Sequence, residues 1–147
     1  MQFLKVPFRG KIKKTKPKGV FAHENFPGTK YAQDFLLKAG TKIYAAREGV
    51  VILTKSRYST WGPHPKYAGK ANLVAIQHHD GTYAEYMHLS KGGVLVRKGQ
   101  KVKTGDPIGF IGYSGTMDVP HLHLNVFKVI GNKKRRGISI PFRLKKK

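Results

Sequence analysis

The sequence predicts a single, mainly antiparallel β domain, built as a sandwich or a distorted barrel. Three observations carry this reading. The apolar stretches are short and rich in β-branched residues, turn residues interrupt them about every eight to twelve positions, and no segment carries a long amphipathic helical repeat. Strands are expected near 41–54, 72–79, 82–89, 107–112 and 121–130. A chain of 147 residues can bury a core of its own without staples.

The segment from Tyr31 to Ala39 has room for a turn or two of helix, and the run 41–54 follows it as a β-branched strand. The stretch from Thr54 to Asn72 is the longest loop and holds Tyr58, Trp61, His64 and Tyr67 among Gly, Pro and Ser. Long loops in compact β domains are more often functional than idle, so Tyr58, Trp61 and Tyr67 are expected to wall a substrate groove. The competing structural role for Trp61 is a cap on the core. The strands 72–79 and 82–89 are joined by His78-His79-Asp80-Gly81-Thr82, where Asp-Gly supplies the positive-φ turn of a tight hairpin. His78 and His79 flank that turn as surface or packing residues. The phrases 94–102 and 103–109 share a Val/Ile-with-Gly rhythm that also occurs in lipoyl- and biotinyl-carrier folds. A carrier displays a modifiable Lys at a hairpin tip, whereas the strongest tip here is Asp80-Gly81.

The last expected strand opens with Pro120-His121-Leu122-His123-Leu124. Side chains alternate along a strand, so His121 and His123 point one way while Leu122 and Leu124 point the other. Two imidazoles on one surface suit a zinc ion, or a zinc ligand beside a proton acceptor; a solvated His-x-His pair is the plain alternative. By the same alternation Tyr86 and His88 share a strand face. The chain has no cysteine, which excludes disulfides, thiolate metal sites and a cysteine nucleophile, and leaves His, Asp and Glu as metal ligands.

The formal net charge is +22, and 15 of the 29 Lys and Arg lie in residues 1–18 and 133–147. All 7 acidic residues lie between them. This separates a basic N-terminal segment (1–19), a central domain (20–130) and a basic C-terminal tail (131–147). Such clusters attract polyanions: nucleic acid, anionic wall polymer or anionic lipid. No stretch has the length of a membrane span, and the first residues contain no apolar run of signal-peptide length.

Taken together, Tyr31-Ala32-Gln33-Asp34-Phe35, Gly40 to Val51, Tyr86-Met87-His88-Leu89-Ser90, Gly99-Gln100-Lys101-Val102, the glycines at 105, 109, 112 and 115, and Pro120-His121-Leu122-His123 resemble the lysostaphin/LytM-like zinc metalloendopeptidases of bacterial cell walls. The resemblance covers about residues 20–130 in the family's order. It implies a LytM-like catalytic domain, a Zn2+ cofactor, and hydrolysis of amide bonds in peptidoglycan peptides. It also implies action outside the cell, in the periplasm or at the wall, or delivery there by a phage, with an anionic wall polymer as a further partner for the basic ends.

Carried over residue by residue, the resemblance makes Asp34 and His123 zinc ligands, and His88 and His121 catalytic residues beside the metal. The third ligand departs from the common pattern. Many relatives have a His four residues before the Asp, and Lys30 stands there. His23, eleven residues before Asp34, is the assigned ligand, with His64 in reserve. Two nitrogen ligands and one carboxylate leave an open position on a tetrahedral ion, as in catalytic zinc sites. Two other classes compete: a catalytically silent module that binds wall or partner proteins, and a basic nucleic-acid-binding β domain. The retained ligand set argues against the first, and the histidine constellation against the second.

Overall fold

A computed structural model describes residues 2–15, 29–130 and 136–145. In these residues the strands are β1 (Gln2–Lys5), β2 (Gln33–Leu36), β3 (Lys42–Tyr44), β4 (Gly49–Lys55), β5 (Trp61–Gly62), β6 (Asn72–Gln77), β7 (Tyr83–Val94), β8 (Lys101–Val102), β9 (Pro107–Ile111), β10 (Gly115–Thr116), β11 (His121–Ile130), β12 (Arg136–Ser139) and β13 (Phe142–Lys145). A 3-10 turn spans Pro65–Tyr67.

Nine strands form one sheet whose main path runs β12-β11-β7-β6-β4-β8, with β2 beside β11 and β9 joining β3 to β7. Strand β7 holds it together. Its first half pairs with β11 and β6, and its second half, beyond Leu89, pairs with β9. The path ends at β12 and β8 and does not close, so the sheet folds over itself without forming a barrel. Ile43, Ile108 and Ile111 thereby share one core with Val74, Ile76, Tyr86, Leu122 and Leu124.

Two expectations are corrected. Tyr31 to Ala39 contains β2 rather than a helical turn, because Phe35, fully buried, pairs opposite Leu122 and so draws the segment into the ladder. The run 41–54 is two strands, since β3 pairs with β9 while β4 pairs with β6 and β8. The chain turns between them at Ala45 and Ala46, both buried, with the Ala46 amide donating to the Tyr86 hydroxyl at 2.9 Å.

The described parts of the basic ends are woven into the domain. Leu4, Phe8 and Phe142 belong to the core, and β1 pairs in parallel with β13. Residues 13–15 then run along β2: the Leu36 amide donates to the Lys13 carbonyl at 2.7 Å, and the Thr15 amide to the Asp34 carbonyl at 3.0 Å. The clusters around Lys16, Lys133 and Lys146 lie outside the described residues.

The Asp-Gly hairpin forms as expected, with Gly81 at φ +85° and Asp80 accepting from the Thr82 amide and hydroxyl at 3.0 and 2.6 Å. His79 is exposed and His78 is buried. The His78 Nδ1–H donates to the Glu48 carbonyl at 2.7 Å, while its buried Nε2 has no hydrogen-bond partner among the described residues. Burial, the largest cause, holds its pKa below the ordinary 6.5. The unfolded chain therefore binds the proton more readily, and stability rises with pH up to about the unfolded value and falls below it. Thermal melts of His78→Gln and the parent chain at pH 5 and 7.5 are expected to show a smaller loss on acidification in the variant.

Candidate active site

Strand β11 sorts its side chains as alternation requires. Leu122, Leu124 and Val126 enter the core, and His121, His123 and Asn125 line the opposite face. Strand β2 lies against it in the register His123↔Asp34 and Leu122↔Phe35. Phe35 thus meets an apolar partner in the core, and the carboxylate of Asp34 lands opposite an imidazole. Asp34 Oδ1 is 3.0 Å from His123 Nδ1 and 3.6 Å from His121 Nε2, with all three residues nearly or wholly buried.

His88 reaches the same place by a different route, and the expectation that it shares a face with Tyr86 is corrected. Tyr86 sits opposite Leu124 and is fully buried in the core, while Met87 sits opposite His123. Regular alternation would send His88 into the core as well. Instead His88 takes φ +72°, the one non-glycine residue with positive φ among the described residues. The break turns its ring toward the other imidazoles, with centroids 4.5 Å from His121 and 6.0 Å from His123, and lets Leu89 take the core position. A β-branched or bulky residue pays heavily for such a conformation; a histidine adopts it at a cost of order 1–2 kcal/mol.

The surroundings hold that conformation in place. The Gly112 amide donates to the His88 carbonyl at 3.0 Å, and a side chain at Gly112 would strike Ser90. The His88 Nδ1–H donates to the Ser114 carbonyl at 2.7 Å. Ser114 is itself fixed: its hydroxyl accepts from the Asn72 amide at 2.9 Å and donates to the Leu89 carbonyl at 2.8 Å. The Asn72 side chain, fully buried, donates to the carbonyls of Tyr58 and Leu89 and accepts from the Tyr58 amide. One carboxamide thereby clamps the start of the long loop, the strand after His88 and, through its own amide, the segment that supports the His88 ring.

The tautomers follow from these bonds. His88 and His121 each donate Nδ1–H to a carbonyl, of Ser114 and of Val119 (2.8 Å), so their Nε2 atoms carry lone pairs. Burial, helped by the neighbouring imidazoles, pushes the His88 pKa down to about 3. Burial lowers that of His121 as well, against the pull of Asp34. Burial also opposes charge on His123, but the hydrogen bond and charge of Asp34 outweigh it and raise its pKa. The site thus holds two neutral acceptors beside a polarised His–Asp pair.

A buried imidazole nitrogen and a carboxylate oxygen facing each other fit a zinc ion. Ligands about 2.0–2.2 Å from a tetrahedral ion lie roughly 3.3–3.6 Å apart, close to the 3.0 Å seen here. Among the described residues no three His, Cys, Asp or Glu side chains form a metal-holding group. His23, the assigned third ligand, lies outside the described residues. The described residues that bracket it, Thr15 and Thr29, lead from and to β2: the Thr15 amide bonds to the backbone of Asp34 itself. His64 is exposed and caps the turn Pro65–Tyr67, its Nδ1 accepting from the Lys66 amide at 3.0 Å.

Of the loop aromatics, Tyr58 is half-buried and locked through its backbone to Asn72, and the half-buried Tyr67 packs against Gly62. Trp61 is exposed and pairs with Tyr113, ring centroids 4.8 Å apart. Sequence reasoning did not single out Tyr113, Ser114 or Asn72. The available signal for the first two was their place between Gly112 and Gly115, just before the Pro-His-Leu-His strand.

A profile described as Peptidase family M23 matches residues 28–136. Peptidoglycan DD-endopeptidase ShyA of Vibrio cholerae is 44% identical over 90 residues, which are 61% of this chain and 18% of ShyA, so the chain spans under a fifth of that relative. Among solved structures, the catalytic domain of the antimicrobial peptidase lysostaphin from Staphylococcus simulans superposes with a TM-score of 0.61 at 28% identity, covering 86% of this chain and 88% of that one. A zinc-containing peptidase from Vibrio cholerae superposes with a TM-score of 0.62 at 26% identity over 92% of this chain and 38% of the other.

The clamp around His88 gives a direct expectation. Asn72→Ala strands the Tyr58 amide and carbonyl and weakens the hold on Leu89, and a buried polar group left unpaired costs about 1–3 kcal/mol. Denaturant unfolding is expected to show a loss of roughly 2–4 kcal/mol, against under 1 kcal/mol for an exposed control such as Lys98→Ala.

Proposed function

The chain belongs to peptidase family M23, and we propose that it is a zinc-dependent endopeptidase hydrolysing amide bonds in the peptides of peptidoglycan. The observation that carries the reading is the convergence of Asp34, His123, His121 and His88 on one buried face, in a chain similar to a peptidoglycan DD-endopeptidase and to lysostaphin. Asp34, His123 and, from the family resemblance, His23 would hold the metal, with His64 in reserve. When bound, zinc supplies Lewis acidity that polarises the scissile carbonyl and acidifies water.

The proton chemistry falls to the other two imidazoles. His88 and His121 present Nε2 lone pairs on rings 4.5 Å apart, so a water molecule can be held between two acceptors. Their roles separate by electrostatics. An imidazolium at His121 is stabilised by Asp34, 3.6 Å from its Nε2, whereas His88 is held neutral by burial and by the neighbouring rings. His121 therefore takes the proton of the attacking water and passes it to the leaving amine, and His88 orients that water. The Nδ1–H bonds to Val119 and Ser114 fix each ring so that Nε2 stays aimed at the reacting atoms.

Trp61 and its neighbours in the 54–72 loop wall the substrate cleft. The excess of cations attracts the enzyme to anionic wall polymers, and its place of action is the wall or periplasm where peptidoglycan lies.

The test measures zinc content and cleavage of cross-linked peptidoglycan fragments together. Asp34→Ala is expected to lose both. His88→Ala and His121→Ala are expected to retain about one zinc per chain while turnover falls about a hundred- to ten-thousand-fold. Zinc lost in His121→Ala would place that ring among the ligands and overturn its role.

A further inference from the structure

Trp61 and Tyr113 form an aromatic pair that neither the metal nor the proton transfers use. Their rings tilt at 42° to each other and remain 41% and 42% exposed. Their frame is rigid. β5 and β10 pair in parallel, with Gly115 opposite Trp61; the Gly115 amide donates to the Thr60 carbonyl and the Met117 amide to the Gly62 carbonyl, both at 3.0 Å. The Thr116 hydroxyl donates to the His64 carbonyl at 3.2 Å, and the Tyr67 ring fills the space over Gly62. Two large rings are thus held at the surface by surrounding backbone rather than left there by a floppy loop. Among the described residues neither the Trp61 indole N–H nor the Tyr113 hydroxyl is engaged, so both are available to a ligand.

The pair adjoins the active site along the chain. Tyr113 immediately precedes Ser114, whose carbonyl holds the His88 ring at 2.7 Å. One peptide unit therefore separates the backbone of Tyr113 from the carbonyl that fixes His88.

The chemistry of the pair separates sugar from peptide. An extended peptide is gripped mainly through backbone hydrogen bonds, with side chains in pockets. Trp61 and Tyr113 offer instead two flat apolar faces with a donor at each rim. A pyranose matches that pattern, with an apolar C–H face and hydroxyls around its edge. The polymer whose peptides the chain is read as cutting carries such rings, covalently joined to those peptides.

We propose that Trp61 and Tyr113 form a subsite for a sugar ring of the glycan strand attached to the peptide being cut. This rests on the reading of peptidoglycan as substrate, and it makes the enzyme sensitive to the glycan as well as to the scissile bond.

Trp61 is the chain's one tryptophan, so its fluorescence reports on the subsite without any turnover. The protein is titrated with a peptide-free tetrasaccharide of alternating N-acetylglucosamine and N-acetylmuramic acid, and separately with a sugar-free cross-linked peptide. The tetrasaccharide is expected to change the Trp61 emission saturably. Tyr113→Ala should weaken that binding about fivefold or more and Tyr113→Phe should largely restore it. In cleavage assays, the ratio of kcat/KM for sugar-bearing over sugar-free cross-linked substrates should fall toward one in Tyr113→Ala and Trp61→Leu, through KM.

No emission change with the tetrasaccharide would overturn the subsite, whatever the catalytic result. A change with the sugar-free peptide alone would overturn it too, and make the pair a peptide contact. If the parent chain binds the tetrasaccharide yet cleaves neither substrate, the subsite stands and the endopeptidase reading fails.

Discussion

The register of β2 against β11 is the constraint on which the site depends. Phe35 and Leu122, both fully buried, lie opposite each other, and the next pair along the ladder is Asp34 and His123. A slip of β2 by one residue would send Asp34 into the core and bring Phe35 out beside His121 and His123, while β11 stays held by β7. Burying the Phe35 side chain stabilises the native register by about 1.5–3 kcal/mol. The polar pair needs no separate device to bring it together. The same alternation that builds the core on one face delivers His121, His123 and Asp34 to the other.

His88 shows the opposite relation between fold and site. Strand regularity would bury it beside Tyr86, and the chain departs from regularity to avoid that outcome, at φ +72°. The conformation persists because bonds on both sides over-determine it: Gly112 on the His88 carbonyl, Ser114 on its ring, and Asn72 tying Ser114 and Leu89 to the root of the long loop. The local strain is offset by a fully satisfied polar network, which in a low-dielectric interior is rigid. Rigidity is what a ring that orients water requires, since reorganisation during the reaction would add to the barrier.

Much of this was legible in the sequence because it follows from period-two alternation and from turn chemistry. The His121/His123 face, the Asp80-Gly81 hairpin and the strands around 72–79, 82–89 and 121–130 depend on neighbours within a few residues. Phe35 reads equally well on a short helix or a strand until β11 is beside it, so β2 became visible only in three dimensions. Alternation also misplaced His88, because the break that frees it is sustained by Gly112 and Ser114, more than twenty positions away. Asn72 looks like an ordinary strand-edge polar residue; its value lies in three partners contributed by separate segments. Tyr113 acquires meaning only through β5 and β10, which are two residues each and too short to leave a periodic signal.

The roles of Asp34, His88, His121 and His123 depend on where the metal sits. Diffraction from zinc-loaded crystals at the zinc absorption edge locates the ion without reference to sequence or activity. The predicted result is one anomalous peak within about 2.2 Å of both Asp34 Oδ1 and His123 Nδ1, with the Nε2 atoms of His88 and His121 facing it from beyond ligand distance. A peak ligated by His88 and His121, with Asp34 and His123 still bonded to each other, would contradict it.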